Sequence, residues 1–236
     1  MPLIKYLIRH IIICSAGLFL LPFAIEGQVF RSYTEAGLFG GVCYYLGDIN
    51  PRRHFYNPVL APGVMVKHNF TEHHAMRLNL FIGHLKGNDL DFKNEYQQDR
   101  AHDFETSLAD FHVGYEFSFF PYFINRYVKG RTPYIFAALG YSLILSSSTG
   151  TAKSHATIPF GVGFKYRFNE TVSIGCEWGM RKTFTDELDG ILNPGDSYAK
   201  THNNDWYSFA GVYATFRIFE KRFTCPGILQ EPKKYR

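Results

Sequence analysis

Charge is scarce in this chain. Only 19% of its 236 residues are charged, 25 Lys and Arg against 21 Asp and Glu, and the formal net charge of +4 is scattered along the sequence. So small and diffuse a surplus excludes a nucleic-acid-binding domain, which needs a clustered basic face. Cysteine is scarce too. Of the four, Cys14 lies in an N-terminal apolar run, leaving Cys43, Cys176 and Cys225. An odd count argues against a disulfide framework; a Cys43–Cys225 bridge stays open. Beyond the N-terminal region no apolar run reaches the roughly 20 residues of a membrane helix. No Gly-rich phosphate loop follows a strand and opens a helix. Asp186, Asp189 and Asp196 cluster near the C-terminus without the spacing of a calcium-binding EF-hand.

What the chain has in plenty is aromatic and small residues, with 23 Phe, 16 Tyr and 21 Gly. Its start reads as an export signal: Lys5 and Arg9 precede an apolar run from Ile11 to Leu21, Pro22 breaks it, and small Ala24 and Gly27 follow. Cleavage is expected near Gly27 or Ala24, so residues 1–27 are assigned as a signal peptide. The run is short for an anchor helix, and Cys14 lies too early for a lipoprotein cleavage site. Any membrane residence of the mature chain then has to be as a barrel, the other fold that satisfies backbone polar groups in lipid.

The pattern of residues 156–184 gives the clearest sign of such a barrel. Ile158, Phe160, Val162, Phe164, Tyr166 and Phe168 alternate with Pro159, Gly161, Gly163, Lys165 and Arg167. After a turn at 169–171, Val172, Ile174, Cys176, Trp178 and Met180 alternate with Ser173, Gly175, Glu177, Gly179 and Arg181. Period two sends the apolar set to one face and the glycines and isolated charges to the other. Runs of roughly ten residues are long enough for a tilted strand to cross a bilayer.

The same alternation recurs at about 34–45, 59–70, 76–83, 110–119, 133–145 and 205–219. In the first strand Ala36, Leu38, Val42 and Tyr44 face out and Glu35, Phe39 and Cys43 face in. The strand at 133–145 is apolar or small on both faces; Ile135, Ala137, Leu139, Tyr141 and Leu143 are assigned outward. The connections at 47–57, 87–103, 146–155 and 182–204 are long or irregular, and those at 69–73 and 169–171 are short. The connection at 120–131 is of intermediate length. Alternating long and short connections mark an outer-membrane barrel with both ends in the periplasm. The expectation is an all-β, up-and-down outer-membrane barrel of about 8 antiparallel strands over residues 28–219, with a basic periplasmic tail at 220–236.

The inward parity collects Glu35, Lys67, Arg77, Asp110, Glu116, Lys165, Arg167, Glu177, Arg181 and Arg217. A charge on the lipid face near the midplane would cost roughly 2–4 kcal/mol, so inward placement is favoured. About eight strands enclose just enough room for side chains, and the mixed signs point to an interior salt-bridge network rather than a pore. An enzyme is not expected. His112 and Ser118 share a face but stand roughly 20 Å apart at strand rise, and His73, His74 and His202 read as turn and loop residues. No catalytic, metal or cofactor site is assigned.

Several of these stretches carry a family resemblance. They are Ile158-Pro159-Phe160-Gly161-Val162-Gly163-Phe164-Lys165 and the run from Glu177-Trp178-Gly179-Met180-Arg181-Lys182 through Thr183-Phe184-Thr185-Asp186-Glu187-Leu188-Asp189. Asn204-Asp205-Trp206-Tyr207-Ser208-Phe209-Ala210-Gly211 and Tyr45-Leu46-Gly47-Asp48-Ile49-Asn50-Pro51 belong with them. Together they resemble the PorG family, small outer-membrane barrels of the type IX secretion system. The resemblance implies a non-catalytic part of a secretion machine, tying a periplasmic ring of a PorK-like lipoprotein and a PorN-like protein to the outer membrane or its translocon. Candidate periplasmic contacts in this sequence are Arg126, Lys129 and Arg131, with Lys221, Arg222, Lys233 and Lys234 in the tail. The competing reading is a small passive channel, or a structural barrel unconnected with secretion.

Overall fold

The computed structural model describes residues 31–47, 49–50, 52–93, 95–122, 130–148, 150, 153–184, 188 and 205–222. They belong to one compact unit, Arg31–Phe223. Eight strands close into a barrel in chain order: β1 Arg31–Leu46, β2 Val59–Asn69, β3 His74–Asn88, β4 Asp103–Ser118, β5 Arg131–Ser147, β6 His155–Arg167, β7 Val172–Thr183 and β8 Trp206–Arg222. Every neighbour pair is antiparallel, and β1 pairs with β8 from Arg31↔Arg222 to Leu46↔Trp206, so no sheet edge is left open. This is the expected up-and-down topology.

The strand boundaries differ from the sequence reading mainly at the long-loop end. Residues 87–103 were expected to form one loop, yet β3 and β4 stay paired out to Asn88↔Asp103. The rest of that connection folds into a 3-10 turn, Asp89–Asp91, and a short helix α1, Glu95–Arg100. A two-pronged ion pair closes it: Arg100 Nε and Nη2 lie 2.6 and 2.7 Å from the Asp89 carboxylate. At the other end β8 runs three residues past Phe219, so Glu220, Lys221 and Arg222 belong to the sheet, opposite Tyr33, Ser32 and Arg31. The expected signal peptide, and the tail beyond Arg222, lie outside the described residues.

Burial is inverted relative to a water-soluble domain. Leu38, Leu60, Leu139, Val212 and Phe216 are exposed on the outer wall, whereas Arg77, Arg181 and Lys67 are among the largest fully buried side chains. Only a solvent that is itself apolar makes that arrangement favourable. All five outward assignments on β5 hold. Among the outward-assigned residues Tyr44 is buried: it points out of the wall but is covered by the β1–β2 loop, against Phe55 at 4.8 Å between ring centroids.

Inward glycines make room for rings that lie flat along the wall. Gly161 and Gly179 face each other across β6 and β7. A methyl group on Gly161 would stand 2.9 Å from the Phe136 ring, and one on Gly179 2.7 Å from it. Aromatic cover of strand glycines is a recurrent way to fill a narrow barrel.

Candidate functional site: a filled barrel interior

Inward-facing side chains stack in layers from the short-turn end to the long-loop end. In the lowest layer Arg167 Nη2 donates to Glu35 Oε1 at 3.1 Å and also to the Tyr33 hydroxyl. Ser173 and Thr215 donate to the same carboxylate at 3.2 and 3.3 Å. Arg217 lies beside this layer, its guanidinium 4.7 Å from the Tyr33 ring centroid and 3.1 Å from Glu220. Tyr122, from the β4–β5 connection, turns in beneath the barrel. It is buried, its backbone oxygen accepts from Tyr33, and the Lys165 ammonium lies 4.0 Å from its ring centroid.

The middle layer is organised by Glu116. Its carboxylate meets Lys165 at 2.7 Å, Lys67 at 3.1 Å and Arg77 at 3.5 Å, contacts that join β4 to β6, β2 and β3. Arg77 also reaches Glu177 on β7 at 2.7 Å, and the Tyr134 hydroxyl donates to that same oxygen at 2.9 Å. Above it, Asp110 accepts from His112 Nδ1 at 2.8 Å, from Tyr207 at 2.6 Å and from Ser142 at 3.2 Å, with Arg181 Nε 4.0 Å away. The other His112 nitrogen meets the Asn79 side chain at 2.8 Å. His112 is thus held between a carboxylate and an amide, with both ring nitrogens engaged.

The structure places nine of the ten sequence-assigned interior charges in buried positions and Arg217 half-buried. The aromatic part of the network was not assigned from sequence. Six of the ten charges are basic, and their surplus is met by ring faces. Lys67 lies 4.1 Å from the Tyr213 ring centroid, Arg77 4.3 Å from Phe136 and Arg181 4.3 Å from Phe209. A cation over an aromatic face is stabilised without a counter-charge. The signal was present: Tyr207, Phe209 and Tyr213 share parity with Arg217 on β8.

The long-loop end is closed as well. Tyr45 donates to Asp205 at 2.6 Å, Asp205 accepts the Leu188 amide at 3.0 Å, and Gln97 reaches the Ile49 oxygen at 2.8 Å. Ile49, Leu85, Phe104, Leu108 and Leu188 form an apolar stopper beneath these contacts. Outside the wall Tyr56 ties the β1–β2 loop to Asp91 at 2.5 Å. Burial and that hydrogen bond push its hydroxyl up to about 12.

Of the candidate partner contacts, Arg131 is exposed at the first position of β5, and Arg126 and Lys129 lie outside the described residues. Lys221 and Arg222 are the last two residues of β8 rather than part of a free tail. Cys43 carries a free thiol that donates to the His84 oxygen at 3.1 Å, and Cys176 is free on the outer wall. Cys225 lies outside the described residues, as do Asp186, Asp189, Asp196 and His202. Among the described residues no group of His, Cys, Asp and Glu is arranged to hold a metal ion.

A closed eight-stranded barrel, apolar outside and filled with paired charge inside, defines a small outer-membrane β-barrel. The chain belongs to the family described as a domain of unknown function, DUF6089, which matches residues 13–227. No curated protein matches it in sequence. Among solved structures it is similar to the N-terminal β-barrel domain of Pseudomonas aeruginosa OprF, at 15% identity and TM-score 0.43, covering 81% of this chain and 100% of that one. Neisserial surface protein A is similar at 10% identity and TM-score 0.45, covering 79% and 97%. The Yersinia pestis attachment invasion locus protein Ail, solved with the heparin analogue sucrose octasulfate, is similar at 11% identity and TM-score 0.41, covering 81% and 100%.

Proposed function

We propose that this protein is a non-catalytic outer-membrane anchor whose working surface is its periplasmic end. The carrying observation is the filled lumen. Ion pairs cross it from β6 through β4 to β2 and from β3 to β7, Tyr122 closes one mouth and the Asp205–Leu188 contacts close the other. With the lumen occupied, function falls to the surfaces. The short turns, the start of β1 and the end of β8 lie on one side and the long loops on the other, the usual disposition when the short-turn side is periplasmic.

On this reading the exposed Arg131 and the basic residues Lys221 and Arg222 that end β8 offer contacts to an acidic periplasmic partner. The resemblance to PorG barrels names that partner: the PorK/PorN ring of the type IX secretion apparatus. The test is co-purification from mildly solubilised outer membrane followed by mass spectrometry. Because β8 continues to Arg222, the informative truncation removes residues 224–236; ending the chain at Phe219 would shorten the barrel itself. PorK-like and PorN-like proteins retained by the full chain and lost on truncation support the reading. A barrel that purifies alone refutes the secretion role. Steady conductance in a planar bilayer would instead favour the channel reading, which the packed interior opposes.

A further inference from the structure

The β1–β2 loop does something a connector need not do. Its first part plugs the mouth with Ile49, and its later part carries His54 and Phe55 over Tyr44 and Trp178 on the outside of the wall. Tyr44, outward on β1, is fully covered there; its hydroxyl accepts from Trp178 Nε1 on β7 at 2.9 Å and lies 3.3 Å from His54 Nδ1. The His54 ring stands 6.0 Å from that of Trp178, so the loop spans from β1 across β8 to β7.

Two residues of this loop adopt left-handed backbone, Phe55 at φ 58° and Asn57 at φ 42°. Asn tolerates that region, but a bulky aromatic residue does so only when its surroundings force it. They do. Asn50 holds Arg53 on one side, donating to its oxygen at 2.7 Å and accepting its amide at 2.9 Å, and the Tyr56 hydroxyl is fixed to Asp91 on the other. The strained residue nevertheless keeps its ring 53% exposed. Strain that holds an apolar ring outward on a membrane-facing wall makes sense when lipid covers it.

The polar side of the same patch is basic. Arg52 and His54 flank the loop and are exposed. Lys182 follows Trp178 on the same outward face of β7, its ammonium 5.5 Å from the Trp206 ring centroid. Below the patch the wall continues into the exposed apolar Leu38 and Val212. Cations above an aromatic shelf, above an apolar belt, match a ligand with a phosphorylated head and acyl chains. We propose that Arg52, His54 and Lys182 bind the phosphate of an outer-leaflet glycolipid whose chains lie over Phe55 and Trp178. The inference rests on the long-loop end facing outward and is independent of any periplasmic partner.

The test is native mass spectrometry of the full chain in micelles carrying one of three probes: lipid A with its phosphates, enzymatically dephosphorylated lipid A, or phosphatidylglycerol. Phosphorylated lipid A is expected to be retained, with affinity about tenfold weaker for the dephosphorylated form and for Arg52→Gln/His54→Gln, as loss of charge-assisted hydrogen bonds requires. Lys182→Gln, which leaves the loop untouched, should weaken retention in the same direction. Phe55→Gly should weaken both lipid A forms alike. Equal retention by the double variant and by Lys182→Gln overturns the proposal, and so does phosphatidylglycerol held as tightly as lipid A. Sidedness is read separately: Arg52→Cys should label with an impermeant maleimide on intact cells above the parent chain, and no added labelling overturns the outer-leaflet assignment whatever the micelles show.

Discussion

Glu116→Gln is the sharpest test of the interior. The substitution keeps shape but removes the negative charge shared by Lys165, Lys67 and Arg77 and turns one acceptor oxygen into a donor. At separations of 2.7, 3.1 and 3.5 Å and an effective dielectric near 20, each attraction is worth roughly 5 kcal/mol. The three cannot simply be added, because Glu116 itself repays a large desolvation cost in the folded barrel and a lysine left unpaired can release its proton. Breaking a buried pair by removing one partner typically costs about 3–5 kcal/mol, and that is the expected loss here. Removing the charges together, as Glu116→Leu with Lys67→Met and Lys165→Met, should recover most of it, since the penalty comes from uncompensated cations. The assay is reversible urea unfolding in lipid vesicles, followed through the fluorescence of Trp178 and Trp206, with heat-modifiable migration on gels confirming the folded starting state. A loss below about 1 kcal/mol, the scale of an exposed ion pair, would refute the claim that this carboxylate is a desolvated hub.

Other substitutions probe other layers. Gly179→Val drives a side chain toward the Phe136 ring and should cost about 1–3 kcal/mol by overpacking, read in the same unfolding assay. Tyr122→Ala removes a buried ring from the short-turn mouth and should cost about 3–5 kcal/mol, the range for deleting a large buried aromatic side chain. The Tyr56 hydroxyl, raised to about 12, favours the docked loop while it stays protonated. The stabilisation is therefore complete below the unfolded value of about 10 and is lost as pH rises through about 12. The protection of the β1–β2 loop amides, with intrinsic base-catalysed exchange divided out, should fall over that window in the parent chain, and Tyr56→Phe should remove the fall.

Period two made the barrel legible, because each strand between lipid and a narrow lumen has to separate its two faces completely. Even β5, apolar on both, sorted correctly: its outward residues Ile135, Leu139 and Leu143 are large and exposed, while Tyr134 and Phe136 fill the lumen. Which charge pairs with which was not legible, since pairing depends on register around the ring; Arg77 meets Glu177 across 100 positions of sequence. Beyond Phe39, the aromatic lining was legible only as shared parity with the inward charges, since a ring on an inward position carries no mark that tells lumen from lipid. The β1–β2 strap was hidden for a different reason. Tyr44 obeys the outward rule, and only tertiary folding of residues 52–57 covers it. The length of β3 and β4 was also obscured, because their outer ends rise beyond the apolar belt, where polar Lys86, Asn88, Asp103 and Glu105 carry no apolar alternation.

The unusual features of this barrel divide between its two environments. Inside, the ten charges assigned to the lumen, six basic and four acidic, pack together, with ring faces taking the surplus positive charge. Such a network is costly to open at any one point, because each ion pair leaves a buried charge behind when it breaks. Outside, two of the three left-handed non-glycine residues among the described residues, Phe55 and Asn57, lie in a loop whose exposed ring and neighbouring basic residues gain nothing from the lumen. On the proposed reading the filled interior and the strained exterior belong together: binding at the surfaces, rather than transport through the lumen, would account for where this sequence departs from a minimal barrel.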